Sequence, residues 1–229
     1  MAARTVIIVG GGSAGCVLAH RLTEPGAPPA EVILLETGSD NRTAERPAHM
    51  KSPMPGDIIA DEDWLFPQMQ ATRAQGQAPA LYWRGRGLGG SSTINGMQAI
   101  RATPEDMDAW EAAGCEGWGA EEVLPYFSKF ERDLEFGDSS AHGADGLLPI
   151  QRLPAADRSS WGSVDNALFD AAQEIGWAEV PDHNSFERNS VGISPFARND
   201  VLDADATEHE VGRVSVYDGS PPPPPTPSL

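Results

Sequence analysis

A chain of 229 residues with 34 acidic against 16 basic side chains carries a formal net charge of −18. It is long enough for one large or two small domains with a sizeable core. So acidic a surface repels phosphate backbones and anionic lipid, and neither nucleic-acid nor peripheral membrane binding is expected. No run of about twenty apolar residues occurs, and the chain starts on a strand pattern rather than a charged leader, so a cytoplasmic protein is expected. Two cysteines, Cys16 and Cys115, make neither a disulfide framework nor a zinc site and suit a reducing compartment.

Thr5 to Val9 (TVIIV) is an apolar, β-branched run that predicts a buried parallel strand. It leads into Gly10-Gly11-Gly12-Ser13-Ala14-Gly15, and then into a segment with apolar residues Val17, Leu18 and Leu22 at helical spacing. The spacing has a physical cause. Gly10 permits the sharp turn, Gly12 lets the backbone approach a diphosphate, and Gly15 lets the helix pack on the strand. The diphosphate is expected on the free N–H groups of the helix that begins near Ser13.

Pro25, Gly26, Pro28 and Pro29 close that helix. A second strand follows at Glu31 to Leu35 and ends on Glu36, placed to accept hydrogen bonds from an adenosine ribose. A carboxylate there favours a free 2′-hydroxyl over a phosphorylated one, which leaves FAD or NAD. From Thr37 to Ala80 the pattern is irregular, with short apolar pieces at Ile58-Ile59 and Trp64-Leu65-Phe66. Two readings stand: a segment wrapped over a bound cofactor, or an ordered surface loop with a small apolar plug.

Gly85 to Met97 (GRGLGGSSTINGM) is a second glycine-rich stretch, suited to close approach by a flat ring or a diphosphate. Here the sequence resembles the glucose-methanol-choline (GMC) FAD-dependent oxidoreductases. The resemblance rests on Val6 to Leu22 with Leu34-Leu35-Glu36, on Gly85 to Met97, and on Arg101, Asp108, Trp110, Gly117-Trp118-Gly119 and Val123 to Phe127. His142-Gly143, Gly146 to Pro149 and Asp182-His183-Asn184 extend it, so that it spans roughly residues 5 to 199.

The resemblance implies an α/β fold: a Rossmann-like FAD-binding domain over residues 1–155 and the start of a substrate domain over 156–200; beyond it the acidic, proline-rich tail over 201–229 is expected from its composition to be disordered. It implies that Gly10, Gly12, Ser13, Ala14 and Gly15 hold the FAD diphosphate and Glu36 the ribose, with Gly89, Gly90, Ser91, Asn95, Gly96 and Met97 at the flavin end. Members that attach FAD covalently carry a histidine just before the asparagine. Ile94 stands there, which implies non-covalent FAD. Trp83 before Arg84, the glycines at 85 and 87, and Ala102 after Arg101 depart from the family pattern and are expected to loosen the fit around the flavin.

Three helices are predicted with packing faces: from Pro104, with Met107, Trp110 and Ala113; from Gly119 to Phe130, with Val123, Leu124, Phe127 and Phe130; and from Asp165 to Ile175, with Leu168, Phe169, Ala172 and Ile175. His20, His49, His142, His183 and His209 lack metal-ligand spacing and a neighbouring nucleophile. They are expected to be exposed or locally hydrogen-bonded, and no metal is expected.

The family pattern ends near Asn199-Asp200, and Val201 onward is acidic and then proline-rich. The tail is either a frameshift or splice scar, the preferred reading, or a ligand for a proline-binding module. The parent reaction implied is oxidation of a small-molecule alcohol to an aldehyde or ketone, with hydride passing to flavin N5. The resemblance places the histidine base in a C-terminal segment beyond this pattern, so no catalytic residue is assigned. The contrasting expectation is a non-catalytic flavin-binding or proline-tail interaction protein.

Overall fold

In the computed structural model the chain is described over residues 4–40, 62–66, 70–72, 74–152, 158, 161–185, 190–192, 194–195, 198–199 and 212–213. It divides into two compact units, Met1–Met97 with Val201–Leu229, and Gln98–Asp200. The boundary expected at residue 155 therefore falls inside the second unit, and almost all of the expected tail lies outside the described residues.

The first unit is built on strand β1 (Arg4–Val9), helix α1 (Ser13–Thr23) and strand β2 (Ala30–Leu35). The strands pair in parallel with Val6 opposite Val32 and Ile8 opposite Leu34. The β-α-β order of the sequence is thus present, with a parallel pair that requires the crossover helix. Burial departs from expectation. Ile8 is buried and Val6, Val32 and Leu34 on its face are half-covered, whereas Ile7, Val9, Ile33 and Leu35 on the other face are exposed, Val9 to 84%. Side chains alternate across a strand, and α1 covers one face only, so a run that looks doubly buried is half-buried here.

Short strands β3 (Gln70–Ala71) and β4 (Ala80–Leu81) pair antiparallel. Leu65 bridges to Gly85, with Phe66 N donating to Arg84 O at 3.0 Å and Arg86 N to Trp64 O at 2.8 Å. Trp64 and Leu65 are buried with Ile94 in one apolar cluster. The plug foreseen at Trp64 to Phe66 therefore pins the second glycine-rich stretch, while Ile58-Ile59 lies outside the described residues.

In the second unit Thr103 caps helix α2 (Pro104–Ala112) in a reciprocal box with Asp106, and Asp108 Oδ1 accepts from Ala120 N at 2.9 Å at the start of helix α3 (Ala120–Phe130). Helix α3 runs through Pro125 into strand β5 (Glu131–Asp133), which pairs in parallel with β6 (Leu148–Ile150). Helix α4 (Ser163–Glu174) stops at Gly176, where Trp177 N returns to Ala172 O at 3.0 Å. Strands β7 (Ala178–Val180) and β8 (Ser190–Gly192) pair in parallel, and β9 (Arg198–Asn199) follows.

Helix positions agree with the periodicity, but the packing faces are narrower than predicted. Met107, Phe169 and Ala172 are buried. Trp110 is 59% exposed and its ring lies tilted against that of Trp118, and Leu168 and Ile175 are 68% and 73% exposed. Periodicity marks an apolar stripe, but burial depends on what packs against it.

Candidate functional site: a cleft of glycine turns

The site starts where β1 ends. Gly10 has φ +96°, in the left-handed region that favours glycine, and its N–H donates to Leu35 O at 2.7 Å, tying the turn to the end of β2. A Cβ on Gly15 would overlap the carbonyl oxygen of Gly10, so the third glycine lets α1 approach the strand. Helix α1 has Gly12 at its cap, no side-chain cap and no acid in its first turn. Helix geometry leaves the first-turn N–H groups at Ser13 and Ala14 without an intrahelical acceptor, and both residues are exposed.

The second glycine stretch folds against the first. Gly89 N donates to Gly11 O at 2.7 Å, and a Cβ on Gly90, itself at φ +54°, would lie 2.8 Å from the Cα of Gly12. A short 3-10 turn over Gly90–Thr93 is held from within: Gly85 N donates to Ser91 Oγ at 3.1 Å, Ser92 Oγ to Gly89 O and Thr93 Oγ1 to Gly90 O, each of the last two at 2.7 Å. A Cβ on Gly85 would overlap Gly90 O, and one on Gly38 would overlap Gly87 N, so the backbone is closely packed at both points.

Between the two turns lies a cleft of about 440 Å³. Of the residues expected from the sequence, Gly10, Gly12, Glu36 and Gly90 line it. Ser13 and Ala14 sit in the adjoining helix turn, Gly15 and Gly89 are buried behind the wall, and Ser91 braces Gly85. Asn95 and Gly96 are exposed, Met97 is buried at φ +61° with its N–H donating to Asn95 Oδ1 at 3.0 Å, and none of these three lines the cleft. Phe66 and Gly85, from the two stretches the sequence offered as a cofactor cover and a close-approach turn, also line it, and Val9, Leu35 and Thr37, which were missed, complete the lining. The signal for Val9 and Leu35 was present, since residues at the C-terminal ends of parallel strands face the ligand crevice.

A second buried polar centre lies in the other unit. His142, 6% exposed, faces Glu131 Oε1 at 2.8 Å and Asp133 Oδ2 at 3.1 Å with Nδ1, and Asp182 Oδ2 at 2.9 Å with Nε2. Arg101 pairs with Glu131, and Arg152 reaches Asp133 at 2.9 Å, Glu135 at 3.0 Å and Asp182 at 2.6 Å. Hydrogen bonds to Asp182 and Glu131 outweigh burial and raise the His142 pKa to about 9. Burial works to raise the Asp182 pKa, but His142, Asn184 N–H and Arg152 together bring it down to about 2.

His142 was expected to be exposed or locally bonded. It is neither, because its partners come from β5 and from the turn after β7. Glu131, Asp133 and His142 also lie close enough to share a metal ion, yet two guanidinium groups already neutralise the carboxylates. The centre is an ion-pair network.

The family described as GMC oxidoreductase matches residues 4–204. The 5-(hydroxymethyl)furfural oxidase of Methylovorus sp. (strain MP688) is 34% identical over 186 residues, covering 78% of this chain and 34% of that protein. The oxygen-dependent choline dehydrogenase of Vibrio vulnificus (strain YJ016) is 36% identical over 188 residues, covering 81% and 32%. Among solved structures, pyridoxine 4-oxidase from Mesorbium loti superposes with a TM-score of 0.76 at 29% identity, over 95% of this chain and 39% of that one. The chain thus spans about a third of the length of the curated relatives it matches. On the family match and these identities, the chain belongs to the GMC oxidoreductases.

Proposed function

We propose that this chain supplies the dinucleotide cradle of a non-covalent FAD-dependent oxidoreductase acting on CH–OH groups of small alcohols. One observation carries the reading: two glycine turns face each other across a cleft at the uncapped start of α1, with an acidic residue at the end of β2 on its wall. The residues fit the group. First-turn N–H groups at Ser13 and Ala14 suit a diphosphate. The missing Cβ atoms at Gly10 and Gly12 leave room for it, and Glu36 offers an acceptor oxygen to a ribose hydroxyl. When bound, FAD supplies the hydride acceptor.

The chain's own residues bind and orient rather than move protons. Glu36 is the acid–base group lining the cleft among the described residues, and its carboxylate is engaged by backbone N–H groups. Ile94, buried with Trp64 and Leu65, offers no nucleophile for attachment to a flavin. The relatives named as oxidising 5-(hydroxymethyl)furfural, choline and pyridoxine support a small alcohol as the substrate class.

The test is the visible spectrum of the purified chain after incubation with FAD, before and after denaturation, with an alcohol panel added to the native sample. A flavin spectrum that stays with the native protein and is released on denaturation is the expected result. A chain that stays colourless in excess FAD refutes the cradle. Flavin that survives denaturation on the chain refutes non-covalent binding, and bleaching by an alcohol would show proton-moving groups beyond those named.

A further inference from the structure

The Glu36 carboxylate is shared among three separate stretches of backbone. Its Oε2 accepts from Gly11 N at 2.7 Å, and its Oε1 accepts from Thr37 N at 3.0 Å, Gly38 N at 2.9 Å and Gly87 N at 3.1 Å. The Gly87 bond closes 51 residues of chain. An ionised carboxylate is acceptor-only and offers about four lone-pair sites, so Oε1 is fully taken by the protein while Oε2 keeps capacity for one more donor. Bonds from backbone N–H groups to a charged acceptor are among the stronger hydrogen bonds a fold can make.

The backbone around these bonds is shaped for them. Leu88 N donates to Ser39 O at 3.2 Å, and a Cβ on Gly11 would lie 2.5 Å from Leu88 Cδ2. Gly38 and Gly87 meet so closely that a Cβ on Gly38 would overlap Gly87 N. The glycine at 87, a departure from the family pattern, is therefore where the second turn reaches the carboxylate.

We propose that Glu36 is a positioning residue with two tasks: its carboxylate clamps the second glycine turn onto the dinucleotide turn, Oε1 holding Gly87 N and Oε2 holding Gly11 N, and so pre-forms the cleft, and the remaining capacity of Oε2 is left for a ribose hydroxyl. The second task rests on the cleft being a dinucleotide site; the clamp does not. Glutamine keeps the shape, but whichever way its amide is turned the NH2 faces the N–H of either Gly11 or Gly87, so Glu36→Gln breaks the clamp at one end.

The first arm of the test is hydrogen exchange by mass spectrometry on the ligand-free full chain. In Glu36→Gln, amides in residues 85–92 are expected to exchange on the order of tenfold faster, with residues 104–130 unchanged. Unchanged exchange in 85–92 overturns the clamp. If Glu36→Gln loses protection everywhere, Glu36→Asp, one methylene shorter, decides in its place: faster exchange confined to 85–92 supports the clamp, and wild-type exchange there overturns it.

The second arm measures binding of ADP and of 2′,3′-dideoxy-ADP, which lacks the ribose hydroxyls. Two tasks predict that Glu36→Gln weakens both, each on the order of tenfold, and ADP more. Weakening of ADP alone would reduce Glu36 to a ribose ligand and overturn the clamp. A wild-type chain that binds neither probe refutes the dinucleotide reading, and the exchange arm still decides the clamp.

Discussion

Replacing His142 by glutamine tests the buried network of the second unit. Both imidazole nitrogens face carboxylate oxygens, and a ring that donates at both must be the imidazolium. Its charge matters. Among the buried groups Glu131, Asp133 and Asp182 bring three negative charges, Arg101 and Arg152 two positive ones, and the imidazolium supplies the third, with the exposed Glu135 as a further carboxylate on Arg152. A rise in pKa from 6.5 to about 9, at 1.36 kcal/mol per unit, corresponds to roughly 3 kcal/mol of stabilisation. That is close to the cost of leaving a buried charge without its partner, about 3–5 kcal/mol.

The sign fixes the pH window. The folded-state pKa of His142 lies above the unfolded one, so its stabilisation is whole below pH 6.5, fades above it and is lost as pH rises through about 9. Asp182 is depressed from 3.8 to about 2, so its contribution is present above 3.8 and is lost as pH falls through about 2. Urea unfolding followed by intrinsic tryptophan fluorescence, to which Trp110, Trp118, Trp161 and Trp177 of the second unit contribute, gives the stability of wild type and His142→Gln across this range. The variant is expected to be less stable by about 3 kcal/mol near pH 6 and to approach wild type near pH 10. A difference that does not change with pH, or an imidazole proton resonance that titrates with an ordinary midpoint, would refute the imidazolium.

Gly15→Ala places a Cβ onto the carbonyl oxygen of Gly10; the helix must shift, and the expected result is loss of FAD retention with a destabilisation of about 1–3 kcal/mol in thermal unfolding. Thr103→Ala removes the hydroxyl that accepts from Asp106 N at 3.3 Å and should cost about 1 kcal/mol in the second unit while leaving flavin binding unchanged. Cys115 is exposed and Cys16 buried, so a thiol reagent should modify Cys115 alone in the native chain and both residues after denaturation.

The parts legible in the sequence are those whose consequences fall within a few residues. The turn at Gly10 and the helix start at Pro104 each stand where their residue type predicts. Burial was less legible. Whether Ile7 or Trp110 is covered depends on which element packs over it, and composition and period carry no record of that. The networks were not legible at all. Glu36 finds the Gly87 N–H across 51 positions, and His142 finds Asp182 across 40, and no local pattern records either pairing.

The two units solve the problem of buried polarity in opposite ways, and they should fail in opposite ways. The cleft of the first unit is a backbone construction: N–H groups and carbonyls at Gly10, Gly11, Gly85, Gly87 and Gly89 do the bonding, and the Glu36 carboxylate accepts four N–H groups, those of Gly11, Thr37, Gly38 and Gly87. Such a site is intolerant of added bulk, since a single methyl group at Gly15, Gly38 or Gly85 meets backbone atoms that have nowhere to go. The centre of the second unit is a side-chain construction in which charge balance, rather than space, is the constraint. There a change of shape that keeps the charges is tolerated better than a change of charge that keeps the shape, because a neutral isostere leaves a buried partner uncompensated. Substitutions that look alike on a conservative scale, glycine to alanine and histidine to glutamine, therefore act through different physics. The first displaces a wall of the cleft at any pH, and the second removes a charge whose worth depends on pH.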